Sequence, residues 1–151
     1  MSPEDNKELI RHLIQEALNG GNTDVADGRF TDDYRVHLAG RPDDGATRGA
    51  DAFKAIVGIW RGACSDWHMT IEQFVAEGDY VATRFTTRGT HDGPLFGIPP
   101  TGKSFTVHGQ ELHRIEGGKV AETWVGDDIP SILVQLGVIQ KPSPPGTPER
   151  S

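Results

Sequence analysis

The chain has 151 residues, 35% of them hydrophobic and 19 of them glycine, enough for one globular domain that needs no disulfide or metal staple. Fifteen Lys and Arg against 22 Asp and Glu leave a net charge of −7 with no basic run to offset it, which argues against nucleic acid as a partner. Cys64 has no second cysteine to pair with, the start MSPEDNKELI carries no basic region ahead of an apolar core, and no stretch approaches the roughly 18 apolar residues of a membrane span; the expectation is a cytoplasmic protein with no membrane contact.

Ser2, Pro3 and Asp5 form a helix start, with Ser2 as N-cap and Pro3 in the first turn. Leu9, Ile10, Leu13, Ile14, Ala17 and Leu18 then recur at helical spacing, and Gly20-Gly21 supplies a stop. A short helical turn is expected over Thr23–Ala26. Tyr34, Val36 and Leu38 alternate within a strand predicted over Phe30–Leu38, followed by a loop, Gly40–Gly45. Phe53, Ile56, Val57 and Trp60 restore a helical period that should end near Gly62.

From Trp67 the period becomes two. Trp67, Met69 and Ile71 alternate with polar residues, and Glu77-Gly78-Asp79 turns the chain into a strand over Tyr80–Thr90. A loop holding Gly93-Pro94 and Ile98–Gly102 leads to strand Ser104–Ile115, the turn Glu116-Gly117-Gly118 and strand Lys119–Val125. Asp128 caps a last helix with Ile132, Leu133 and Leu136 facing inward and Gly137 ending it. Residues 1–140 thus form a single α+β domain, with helices on one face of a curved antiparallel sheet. Residues 141–151, with four prolines, are expected to be a disordered tail.

Several segments carry a resemblance: Leu18-Asn19-Gly20-Gly21, Asp32-Asp33-Tyr34, Gly49–Phe53, Gly89-Thr90-His91, Gly97–Gly102, His113-Arg114-Ile115 with Gly118-Lys119-Val120, Glu122-Thr123-Trp124, and Gln135-Leu136-Gly137. In this order they resemble the SnoaL-like polyketide cyclase family of the nuclear transport factor two-like superfamily. The resemblance implies a cone-shaped α+β barrel whose three helices and sheet enclose an apolar cavity, often in a homodimer. It also implies secondary-metabolite chemistry on an aromatic or polycyclic polyketide with no bound cofactor. Hosting many chemistries, the fold alone does not choose among them.

Cyclases that the chain resembles use an aspartate on the last strand as general acid/base, helped by polar residues on the preceding strand. Here that position falls on Val125, and the polar positions fall on Gly109 and Glu111. Glu111 shares a strand face with Phe105, Val107 and His113, apolar surroundings that suit a proton-transferring carboxylate. Asp127 shares a face with Thr123 and Val125, one pleat beyond the usual acid, although a helix cap is the simpler role for either Asp127 or Asp128.

Arg84 lies mid-strand, where burial would demand a carboxylate such as Glu111 or Asp127. His37 is a candidate proton shuttle, and His91 and His113 are candidate substrate contacts. Phe53, Trp60, Trp67, Phe96 and Trp124 could form an aromatic wall for a ring system, or simply core. No His/carboxylate spacing suggests a metal, and no nucleotide-binding fingerprint or catalytic cysteine context is present. The readings left open are ring closure or isomerisation, a related hydroxylation, epoxide hydrolysis using Arg84 and Asp127, and non-catalytic binding of a hydrophobic metabolite.

Overall fold

The computed structural model describes residues 2–38 and 47–140; the expected loop at Gly40–Gly45 and the proline-rich tail lie outside them. Helix α1 (Pro3–His12) begins with a reciprocal cap in which the Asp5 amide donates to Ser2 Oγ and the Ser2 amide donates to the Asp5 carboxylate, both at 3.1 Å. The chain runs on directly into a π-helical stretch, Leu13–Asn19, where one ordinary helix was expected. The apolar spacing is compatible with either winding, so the sequence does not separate them. The carbonyls of Leu18 and Asn19 accept from Arg61 Nη1 at 3.0 Å each. The Asn19 side chain pairs with the Met69 backbone at 2.7 and 2.9 Å, docking this helix onto the sheet.

A 3₁₀ turn (Thr23–Ala26) leads to β1 (Phe30–Leu38), and α2 (Ala50–Ala63) follows. Three hairpin-linked strands come next: β2 (His68–Glu77), β3 (Tyr80–Thr90) and β4 (Ser104–Glu116). Then β5 (Lys119–Asp127) and α3 (Ile129–Gln135) complete the described chain. Gly117 and Gly118 both have positive φ (59° and 77°), as the tight turn between β4 and β5 requires. Asp128 caps α3 as expected, accepting from the Ser131 amide at 3.1 Å.

The five strands lie in the order β1-β5-β4-β3-β2. The consecutive strands from β2 to β5 are antiparallel, but β1 pairs with β5 in parallel, so the sheet is mixed rather than wholly antiparallel. Hairpin turns set direction only between neighbours in the chain; β1 reaches β5 through α2 and three strands, and no turn signal fixes that pairing.

Strict alternation gives the sheet two faces. On β3, Val81, Thr83, Phe85 and Thr87 are buried while Tyr80, Ala82 and Arg84 are exposed. The inner face packs against the helices in one contiguous core that includes Ile10, Leu13, Ile14, Val57, Phe85 and Ile132. Across the outer face, Val75, Ala82, Leu112 and Trp124 stand opposite one another on four neighbouring strands.

Candidate active site

Between the inner sheet face and the helices lies a narrow cavity, open at one end, with about 50 Å³ of water-accessible space. The first helix lines it with Ile10, Leu13, Ile14 and Leu18, and α2 with Phe53, Ile56 and Trp60. Its polar side chains come from four strands: Tyr34 on β1, Thr87 on β3, Glu111 and His113 on β4, Thr123 and Asp127 on β5. Register explains the grouping. Val36, Thr123 and His113 sit in one row, Leu38, Val125 and Glu111 in the next, and Asp127 opposite Gly109 beyond that.

Asp127 is the group whose chemistry this setting changes most. Burial among apolar side chains disfavours its charged form, and the neighbouring Glu111 charge disfavours it further, so its carboxyl is pushed up to about 7. Glu111 is held from behind: its Oε2 lies 3.1 Å from His113 Nε2, and His113 Nδ1 lies 2.9 Å from Thr123 Oγ1. With Glu111 ionised, one arrangement satisfies every group: His113 donates through Nε2 and accepts the Thr123 hydroxyl proton at Nδ1. Tyr34 bonds to Thr123 in turn, and burial raises its phenol well above the ordinary range, leaving a neutral hydroxyl.

Gly109 has its own reason for being glycine. A Cβ there would lie 2.5 Å from the Phe85 ring, which is fully buried.

Of the candidate residues, Glu111, Asp127, His113, Phe53, Trp60 and Trp67 line the cavity. Phe96 lines an adjoining outer pocket, edge-on to Trp60. Four others stand elsewhere. Arg84 is on the exposed face and donates to Gln73 Oε1 at 3.0 Å, so neither Glu111 nor Asp127 is its partner and the arginine expected for epoxide hydrolysis is missing from the cavity. Trp124 lies on the same outer face, stacked on His37 with ring centroids 5.4 Å apart.

His37 itself bonds Glu122 at 2.5 Å, in a cluster completed by Arg35 and Arg114. Burial works against the Glu122 charge, but His37 and Arg35 outweigh it and hold the carboxyl below its usual range. His91 is fully buried under the loop after β3, where its Nδ1 accepts from the Thr101 amide at 3.2 Å; it fastens that loop and does not line the cavity. For Arg84, Trp124 and His37 one step of alternation decides the face, and mid-strand polar residues give no signal of which face is concave.

Tyr34 and Thr123 are the site residues that sequence reasoning did not single out. Their faces were legible, Tyr34 with Val36 and Leu38 and Thr123 with Asp127, but a Tyr or Thr in a strand is ordinary until its neighbours are known. Among the described residues no three His, Cys, Asp or Glu side chains cluster in a way that could hold a metal ion. Burial and the charges of Asp66 and Asp92 push the Cys64 thiol up to about 11, which makes it a poor nucleophile.

The sequence profile of the SnoaL-like polyketide cyclases matches residues 8–136. The chain belongs to this family. Among curated relatives, nogalonic acid methyl ester cyclase from Streptomyces nogalater is 32% identical over 122 residues, covering 80% of this chain and 90% of that protein. Among solved structures, TsrD from Streptomyces laurentii superposes with a TM-score of 0.81 at 28% identity, covering 92% of this chain and 99% of that one. AclR from Streptomyces galilaeus, named as a candidate hydroxylase, gives 0.78 at 25% identity over 94% of this chain and 87% of its own. These two structures share the arrangement of helices and sheet described above.

Proposed function

We propose that this protein is a cyclase-like enzyme that closes or isomerises a ring in an aromatic polyketide, using Asp127 and Glu111 as its acid/base pair. The observation that carries the reading is Asp127: a carboxyl in an apolar cavity, beside a second carboxylate, with its proton affinity moved close to neutral pH. The relative from Streptomyces nogalater, named for a methyl-esterified acid, supports a substrate of that class.

In an aldol-type closure a base removes a proton from the carbon beside a carbonyl. That carbon then bonds a second carbonyl carbon, whose oxygen takes up a proton. One C–H bond breaks, one C–C bond forms and a C=O becomes C–O–H, so mass and electron count are unchanged and two carboxyl groups suffice. Glu111, fixed by His113, is the proton acceptor in this scheme and Asp127 the donor. Tyr34 and Thr123 back the acceptor, while the apolar walls keep water from quenching the enolate.

Incubation with a panel of aromatic polyketide esters, anthraquinones and anthrones, with no added cofactor and mass-spectrometric detection, tests this. A product of unchanged mass and new retention is expected, with turnover reduced about 10²-fold or more in Asp127→Asn and in Glu111→Gln. Gain of one oxygen would favour the hydroxylase reading that the likeness to AclR supports. Tight retention with no conversion would indicate a binding module.

The proposal includes a homodimer in the cytoplasm. In support, Val75 (64% exposed), Tyr80, Leu112 and Trp124 place large apolar side chains on the outer sheet face, and the single cysteine is buried and unpaired.

A further inference from the structure

Among the described residues, Phe96 is the one non-glycine residue with a left-handed backbone, at φ 50°. It occupies the first central position of a two-residue turn closed by Leu95 and Ile98, whose amides donate to each other's carbonyls at 3.1 and 2.8 Å. Gly97, the second central residue, has φ 79°. Turns with both central residues at positive φ favour Asn, Asp or Gly at the first, and a ring there is a backbone outlier.

Such outliers persist only when their surroundings hold them, and they concentrate at binding sites. The holding is visible here. Leu95 is buried, the Asp92 and Gly93 amides donate to the Ala63 carbonyl at 3.1 and 2.9 Å, and His91 grips the far end of the loop through Thr101.

The result is a fixed place for the ring. Phe96 meets Trp60 edge-on, with centroids 5.9 Å apart and planes at 81°. Together with Ile59 and Ile129 it lines an outer pocket that shares Leu38, Ile56, Trp60, Val125 and Asp127 with the main cavity. Asp127 therefore stands where the two spaces join.

We propose that Phe96 is a specificity-determining residue that covers the outer end of a fused aromatic substrate, so that ring systems long enough to span both pockets are preferred over shorter ones. This rests on the acid/base reading only for where the reacting atoms sit. A ligand whose reactive position lies against Asp127 has ring surface on both sides of it, and the outer part has Phe96, Ile59 and Trp60 to stack against.

Binding of 1,4-dihydroxyanthraquinone (three fused rings) and 1,4-naphthoquinone (two) to the full chain, followed by tryptophan quenching, is the test. It is run on the wild type, Phe96→Gly and Phe96→Tyr. The wild type should prefer the three-ring probe. Phe96→Gly should melt no lower than the wild type, because glycine suits the turn, yet bind the three-ring probe about tenfold more weakly with the two-ring probe nearly unchanged.

Phe96→Tyr keeps the ring and should keep the preference. Equal weakening of both probes in Phe96→Gly, no weakening, or no preference in the wild type each overturns the proposal. The two readings fail differently: size selection without any turnover sinks the acid/base scheme alone, and turnover without size selection sinks this one alone.

Discussion

Asp127 makes the clearest demand at the scale of single residues, because its linkage to folding runs opposite to that of a salt-bridged carboxylate. Its folded carboxyl is raised from 3.8 to about 7, so between those values the folded state holds a proton that the unfolded chain has released. The sign follows directly. Stability from this group is fully present below about pH 4, falls as pH rises, and is lost above about pH 7, where the penalty reaches roughly 4 kcal/mol as an upper figure. Asp127→Asn, which removes the charge and keeps the shape, should therefore raise the melting temperature by several degrees at pH 8 and by much less at pH 4. Melts at the two pH values check this, and equal shifts at both would mean that the carboxyl is not strained by its burial. A carboxyl that lowers stability at neutral pH is the kind of cost that the proposed acid/base role would carry.

At the scale of elements, the candidate site forms where β4 and β5 pair on the inner sheet face. Gly109 lets the Phe85 ring approach the β4 backbone closely on the inner face, one pleat from Glu111. Gly109→Ala should destabilise the fold by about 1–3 kcal/mol in urea denaturation, since the new methyl meets a buried ring with nowhere to go. Phe85→Leu in the same chain should recover part of that loss. Most of this layer was legible in the sequence: caps at Ser2 and Asp128, glycine-marked turns and alternation along β3 and β4 all turned out as the residue pattern predicts. The parallel pairing of β1 with β5 was not, because no local signal ties two strands so far apart in the chain. The same limit applied to the site. Glu111, His113 and Asp127 sit in the cavity because of their faces, and Arg84, His37 and Trp124 miss it because face alternation gives two groups without saying which is concave.

For the whole molecule, the two sheet faces differ in what they present. The inner face and the helices enclose the cavity, while the outer face presents the row Val75, Ala82, Leu112 and Trp124. Sedimentation should accordingly give twice the mass of one chain, and Leu112→Glu, which puts a charge in the middle of that row, should shift the protein toward monomer; a wild-type monomer at micromolar concentration would remove the homodimer from the proposal. The acid/base proposal rests on one proton. Carboxyl ¹³C NMR titration of the intact protein reads the Asp127 carboxyl without any knowledge of the substrate. A midpoint near 7 is expected, moving to lower pH in Glu111→Gln, where the neighbouring negative charge is gone. An Asp127 midpoint at or below about 4 in the wild type would show an ordinary carboxylate, and would contradict the assignment of this cavity as an acid/base site.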